Sequence, residues 1–102
     1  MIYNKLVRDK IPDLIKAQGE MPRFRFLTGE EYTLALEQKL DEETAEFHKE
    51  KNLEELADIL EVVYALAENM GYEKADLLQA FEQKHEKRGG FQEGVYLISK
   101  EG

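Results

Sequence analysis

The sequence predicts an all-α fold: a small helical domain built on one antiparallel helix pair, completed into a bundle by homo-oligomerisation, with short extended segments near residues 23–27 and 95–98. Three observations predict it. Apolar side chains recur at helical spacing, ~100° per residue, along residues 29–49 and again along 53–69. The run His48 to Asn52 between them is short and polar, as a tight helix–helix turn should be, and such a turn makes its neighbours antiparallel. The second helix is apolar around almost its whole circumference, with Leu53, Leu56, Leu60, Val63 and Ala67 on one side and Ile59, Val62 and Leu66 on the other. A single domain of 102 residues has too few neighbours to cover it. A second copy is the simplest cover, so a homodimer or a dimer of dimers is expected.

Taken in order, Met1 to Asp9 reads as an extended lead-in with Lys5 and Arg8, followed by Lys10: a basic start in an acidic chain. These cations are either a solvated arm or contacts for phosphate. Pro12 suits a first helical turn, with Ile11, Leu14 and Ile15 as the buried side and Gly19 as the stop. Arg23-Phe-Arg-Phe-Leu27 alternates charge and aromatic, which predicts a brief extended segment with Phe24 and Phe26 inward. Thr28 and Glu31 have the spacing of a capping box, so the first long helix should run from about Gly29 to Lys49. Met70-Gly71 closes the second long helix, and a third spans about Glu73 to Arg88, stopped by Gly89-Gly90. Its apolar stripe, Leu77, Leu78 and Phe81, continues into Lys84, His85 and Arg88. Those cations either face negative oxygens or simply complement the helix dipole at its C-terminal end. Val95 to Ile98 is expected to pair with residues 24–27 or to dock on a partner subunit.

Composition narrows the function. A net charge of −8 and a pI near 4.8 argue against a duplex nucleic-acid binder, which needs a basic footprint. Without cysteine there is neither a disulfide framework nor a zinc-thiolate site. The only histidines are His48 and His85, and no Ser-His-Asp nucleophile system can be built around them. The start of the chain lacks a signal-type apolar region, and its longest apolar run, Val62 to Ala67, is far too short to span a bilayer. A cytoplasmic protein without membrane or nucleic-acid partners is expected.

The chemistry concentrates between Lys39 and Leu66, in two carboxylate pairs: Glu43-Thr-Ala-Glu46 and Glu55-Leu-Ala-Asp58. Each pair is spaced i, i+3, which puts both side chains on one helix face. Glu43 falls in the middle of the stripe formed by Tyr32, Leu36, Leu40 and Phe47, and Glu46 lies at its edge. Glu37 and Glu42 sit further round and read as solvated. On the second helix Glu54, Glu61 and Glu68 form the one polar strip, whereas Glu55 and Asp58 align with Ile59, Val62 and Leu66. Acids on faces that otherwise want burial must be paired, protonated or metal-bound. Glu55 could also serve an Asn52 N-cap, but capping leaves Glu43 and Asp58 without a role. If the helices are antiparallel, four carboxylates converge. Two like charges ~4 Å apart at an effective dielectric of ~20 repel by roughly 4 kcal/mol. A cation among them removes that cost, and Asp58→Asn should stabilise the protein when no cation is present. Oxygen-only ligands favour a hard ion, Mg²⁺ or Mn²⁺.

Four stretches together resemble a known family: Tyr-Asn-Lys-Leu-Val-Arg-Asp-Lys-Ile-Pro at 3–12, Lys-Leu-Asp-Glu-Glu-Thr-Ala-Glu at 39–46, Glu-Glu-Leu-Ala-Asp at 54–58 and Lys-Arg-Gly-Gly-Phe at 87–91. They are similar to the MazG-like, all-α nucleoside triphosphate pyrophosphohydrolase superfamily, which also includes phosphoribosyl-ATP pyrophosphohydrolase. The likeness covers essentially the whole chain, as one domain over residues 1–102. It implies Mg²⁺-dependent hydrolysis between the α and β phosphates of a nucleotide, giving a monophosphate and pyrophosphate. By motif position, Glu43, Glu46, Glu55 and Asp58 would be metal ligands, Glu43 or Glu46 would accept the proton, and Lys84 and Arg88 would be the basic residues that follow the third helix. Lys5, Arg8 and Lys10 join Lys84 and Arg88 as candidate phosphate contacts.

Three readings follow. The first is a house-cleaning enzyme acting on a non-standard nucleoside triphosphate. The second is the phosphoribosyl-ATP hydrolase of histidine biosynthesis, with the same chemistry on another substrate. The third is a non-catalytic acidic helical interaction module, which predicts that the four acids bind no metal.

Overall fold

A computed structural model describes residues 1–102 as four helices and no strand. They are α1 (Ile11–Ala17), α2 (Gly29–Glu50), α3 (Leu53–Asn69) and α4 (Lys74–Arg88). None is long and apolar enough to cross a membrane.

Local chemistry sets the boundaries. Pro12 lies in the first turn of α1, and the chain leaves that helix through Gly19 at φ 86°. Between α2 and α3 only two residues intervene. Lys51 adopts the left-handed conformation (φ 51°, ψ 49°) while its N–H donates to Phe47 O at 2.8 Å, and Asn52 then caps α3 by accepting from the Glu55 N–H at 3.0 Å. This turn sends α3 back along α2. At the far end Asn69 Nδ2 donates to Thr33 Oγ1 at 2.8 Å, so the last residue of α3 meets the first turns of α2. Gly71 at φ 95° closes α3, and at the start of α4 the Asp76 carboxylate accepts from the Glu73 N–H at 2.8 Å.

The α2–α3 pair holds the core. Leu36, Val62 and Ala67 are the buried side chains, at 2%, 7% and 9% exposure. Ile59, Val63 and Leu66 are half-buried beside them. The opposite face of α3 is uncovered, with Leu53, Leu56 and Leu60 exposed. α4 touches only α3, through a small apolar cleft lined by Ala67, Met70, Tyr72, Leu77 and Ala80. Every residue from Gln79 to Gly102 is exposed.

Several expectations need correction. Thr28 precedes α2 but makes no side-chain cap, and the Glu31 carboxylate, instead of reaching back to the Thr28 N–H, accepts two hydrogen bonds from Arg25, of 3.0 and 2.6 Å. A bidentate, charge-assisted pair satisfies both carboxylate oxygens and outcompetes one backbone N–H. The same pair draws the Glu31 carboxyl below its ordinary range. Residues 23–27 and 95–98 lie outside the helices as expected, yet no backbone hydrogen bond joins them. Phe24 and Phe26 do not point inward: they pack edge to face on each other, centroids 5.7 Å apart, and remain exposed. Leu14 is likewise exposed, whereas Ile11 and Ile15 are half-buried.

Candidate metal centre

The two-residue turn after α2 lays the first turns of α3 beside the last turns of α2. Glu43 therefore meets Glu55 and Asp58. One carboxylate oxygen from each of these three residues lies within 4.8 Å of the other two, and all three residues are half-buried. Glu46 is exposed and stands outside the trio, although its charge reaches Glu55. Three of the four acids expected as ligands are thus brought together by one chain.

Their charges are compensated unequally. Lys39 Nζ lies 3.3 Å from Glu43 Oε1, with only 15% of the lysine side chain and 13% of the glutamate side chain exposed. Arg8 Nη2 donates to Asp58 Oδ1 at 2.6 Å, and its Nη1 donates to Glu61 Oε1 at 3.2 Å. The hydrogen bond to Asp58 holds the Arg8 guanidinium above even its usual high range. Glu55 has no cationic partner. Partial desolvation, and then the charges of Asp58, Glu46 and Glu43, hold its carboxyl above the ordinary glutamate value. Its backbone N–H serves the Asn52 cap, but no hydrogen bond engages its carboxylate in return, so the cap leaves that group free.

The donor set suits a hard divalent cation. It is oxygen-only and anionic, and its three carboxylates converge closely enough that one small ion could be held among them. Such an ion would also supply the charge that Glu55 lacks.

The expected phosphate contacts are dispersed. Lys5 and Arg8 are fastened to acids of α2 and α3, with Lys5 Nζ 3.1 Å from Glu42 Oε1. Lys10 is exposed and makes no ion pair. Lys84 and Arg88 are exposed on the half of α4 that leaves α3, and no ion pair links them to the acids of their own chain. Glu42, expected to be solvated, is half-buried between Lys5 and Lys39. Burial alone would raise its carboxyl, but the hydrogen bonds from those two lysines outweigh burial and lower it. Sequence reasoning missed Lys39 as a partner of the site. The signal was available in its i, i+3 and i, i+4 spacing to Glu42 and Glu43.

Comparison with known proteins adds one partial relative. An uncharacterized protein of Mycolicibacterium smegmatis is 57% identical over 42 residues, a stretch that spans 41% of this chain and 43% of that protein. No family model and no solved structure matches the chain.

Proposed function

We propose that the protein is an Mg²⁺-dependent nucleotide pyrophosphohydrolase that splits a non-standard nucleoside triphosphate into nucleoside monophosphate and pyrophosphate. The observation that carries this reading is the convergence of Glu43, Glu55 and Asp58, with Glu55 left uncompensated. The resemblance of the two acidic motifs and the flanking basic segments to the MazG-like superfamily supplies the reaction class.

In this reading Glu43, Glu55 and Asp58 hold the ion, with Mn²⁺ able to replace Mg²⁺. When bound, the ion polarises phosphate oxygens and lowers the pKa of a water. Glu46, exposed beside the trio and not engaged in it, is placed to accept the proton of an attacking water. Lys5 and Arg8, paired with Glu42, Asp58 and Glu61, border the acids and, with Lys10 of the same segment, provide positive charge for the phosphate chain. Lys84 and Arg88, which no ion pair ties to the acids of their own chain, would have to be brought to the centre by a second copy.

Assembly into a homodimer or a dimer of dimers belongs to the same proposal. A compact protein of 11.9 kDa exposes about 5,900 Å², whereas this chain exposes 9661 Å². Its radius of gyration is 18.0 Å, against about 13 Å for a compact chain of this length. The excess, roughly 3,700 Å² per chain, is more than the roughly 1,000–2,500 Å² that one partner of an obligate homodimer buries, so there is ample surface for such an interface.

The test is a panel of standard, oxidised and deaminated nucleoside triphosphates, with phosphoribosyl-ATP included. Each is incubated with the purified protein and Mg²⁺ while pyrophosphate is followed. The expected outcome is pyrophosphate release from at least one triphosphate, abolished by chelation. Preference for phosphoribosyl-ATP would move the assignment to histidine biosynthesis, and inertness toward the whole panel would contradict it.

A further inference from the structure

The N-terminal segment crosses the acidic face of both long helices. It has no helix or strand before Ile11, and apart from the half-buried Leu6 its residues, Ile2, Tyr3 and Val7 among them, are exposed, so burial contributes little to its position. Ion pairs hold it instead. Arg8 forks across Asp58 and Glu61, which lie one turn apart on α3, and Lys5 reaches Glu42 on α2. From this geometry we infer that residues 1–10 form a cationic strap whose Arg8 is the counter-charge of Asp58 in the metal-free protein and is exchanged for a divalent cation when the centre loads. The inference rests on the metal-binding reading above and adds to it a competition between the strap and the ion.

Two features favour exchange over a shared arrangement. The Arg8–Asp58 pair is half-exposed, with 52% and 36% of the side chains accessible, and accessible ion pairs are weak enough to be displaced. A guanidinium 2.6 Å from a ligand carboxylate also sits close enough to repel a dication on that carboxylate. Once released from Asp58, Arg8 stands at the mouth of the centre with its charge free, where an anionic substrate chain arrives. The strap thus stabilises the acids before loading and presents a cation after it.

The experiment is calorimetric titration of Mn²⁺ into the full chain as wild type, Arg8→Ala, Arg8→Gln and Lys10→Ala. The last removes the same charge from the same segment but breaks no ion pair. In parallel, the Arg8 Nε–Hε resonance of the wild type is followed by NMR as Mg²⁺ is added. Exchange predicts that Arg8→Ala and Arg8→Gln tighten Mn²⁺ binding about three- to tenfold. Lys10→Ala should change it about twofold or less, and the Arg8 resonance should move as the ion binds. Arg8→Gln keeps the proposal testable if the alanine variant fails to fold. Equal tightening by Lys10→Ala would show a general field effect and overturn the strap. Unchanged or weaker binding in the Arg8 variants would make Arg8 a bystander or a support for the ligand, and would equally overturn it. Both results leave the metal reading intact. No Mn²⁺ binding by any of the proteins would overturn the metal reading itself, and the exchange with it.

Discussion

Glu55 and Asp58 share one turn of α3, yet only Asp58 has a cationic partner, because the Arg8 fork reaches it and Glu61 but not Glu55. This moves the expected stabilising substitution from Asp58 to Glu55. The folded protein binds the Glu55 proton more tightly than the unfolded chain does. The stability contributed by Glu55 is therefore fully present below the unfolded glutamate pKa, ~4.3, and is lost as pH rises through its higher folded value. In chelator at neutral pH, Glu55→Gln should raise the melting temperature by a few degrees, and the gain should vanish when the pH falls below the carboxylate range. Asp58→Asn should not stabilise, since it discards the Arg8 pair. Thermal melts of both variants at neutral and acid pH check this; a Glu55→Gln gain that persisted in acid would contradict it. The acids themselves were legible in the sequence because register set Glu43, Glu55 and Asp58 on otherwise apolar faces. Their compensation was less so: Lys39 left a local i, i+4 signal, but Arg8 lies 50 residues from Asp58 and no periodicity connects them.

At the scale of elements, helix ends were readable where a residue type admits one backbone solution, as with Pro12, Gly19, Asn52 and Gly71. Thr28 and Glu31 misled because a capping box is a pattern of side chains, and Arg25 from the preceding segment claimed the glutamate. The extended segments had no local pattern to say what they pair with, and within one chain they pair with nothing. The reading of α3 as apolar nearly all round has a direct consequence, since Leu53, Leu56 and Leu60 remain 80%, 46% and 49% exposed. A continuous leucine face of this kind predicts self-association. Light scattering at micromolar concentration should return a dimer or larger species, and Leu56→Glu, placing a charge on that face, should shift it toward monomer. A wild-type mass of 11.9 kDa would refute the assembly.

The whole molecule is an extended body, 63 × 32 × 22 Å, in which the acidic trio sits where α2 turns into α3 and α4 starts from the opposite end of α3. If the inward acids of α3 work on a bound ion while their sequence neighbours face solvent, substitution at the two kinds of position should have very different effects. Glu61 is a poor control for that comparison because it accepts from Arg8, so Glu54, exposed and unpaired, is the proper one. The measurement is turnover on whichever triphosphate the wild type hydrolyses best, at saturating Mg²⁺, for Glu55→Gln and Glu54→Gln side by side. Loss of a metal ligand predicts a fall of about 100-fold or more for Glu55→Gln, whereas an exposed carboxylate predicts a change of about twofold or less for Glu54→Gln. Equal damage from the two substitutions, or none from Glu55→Gln, would contradict the assignment of the centre.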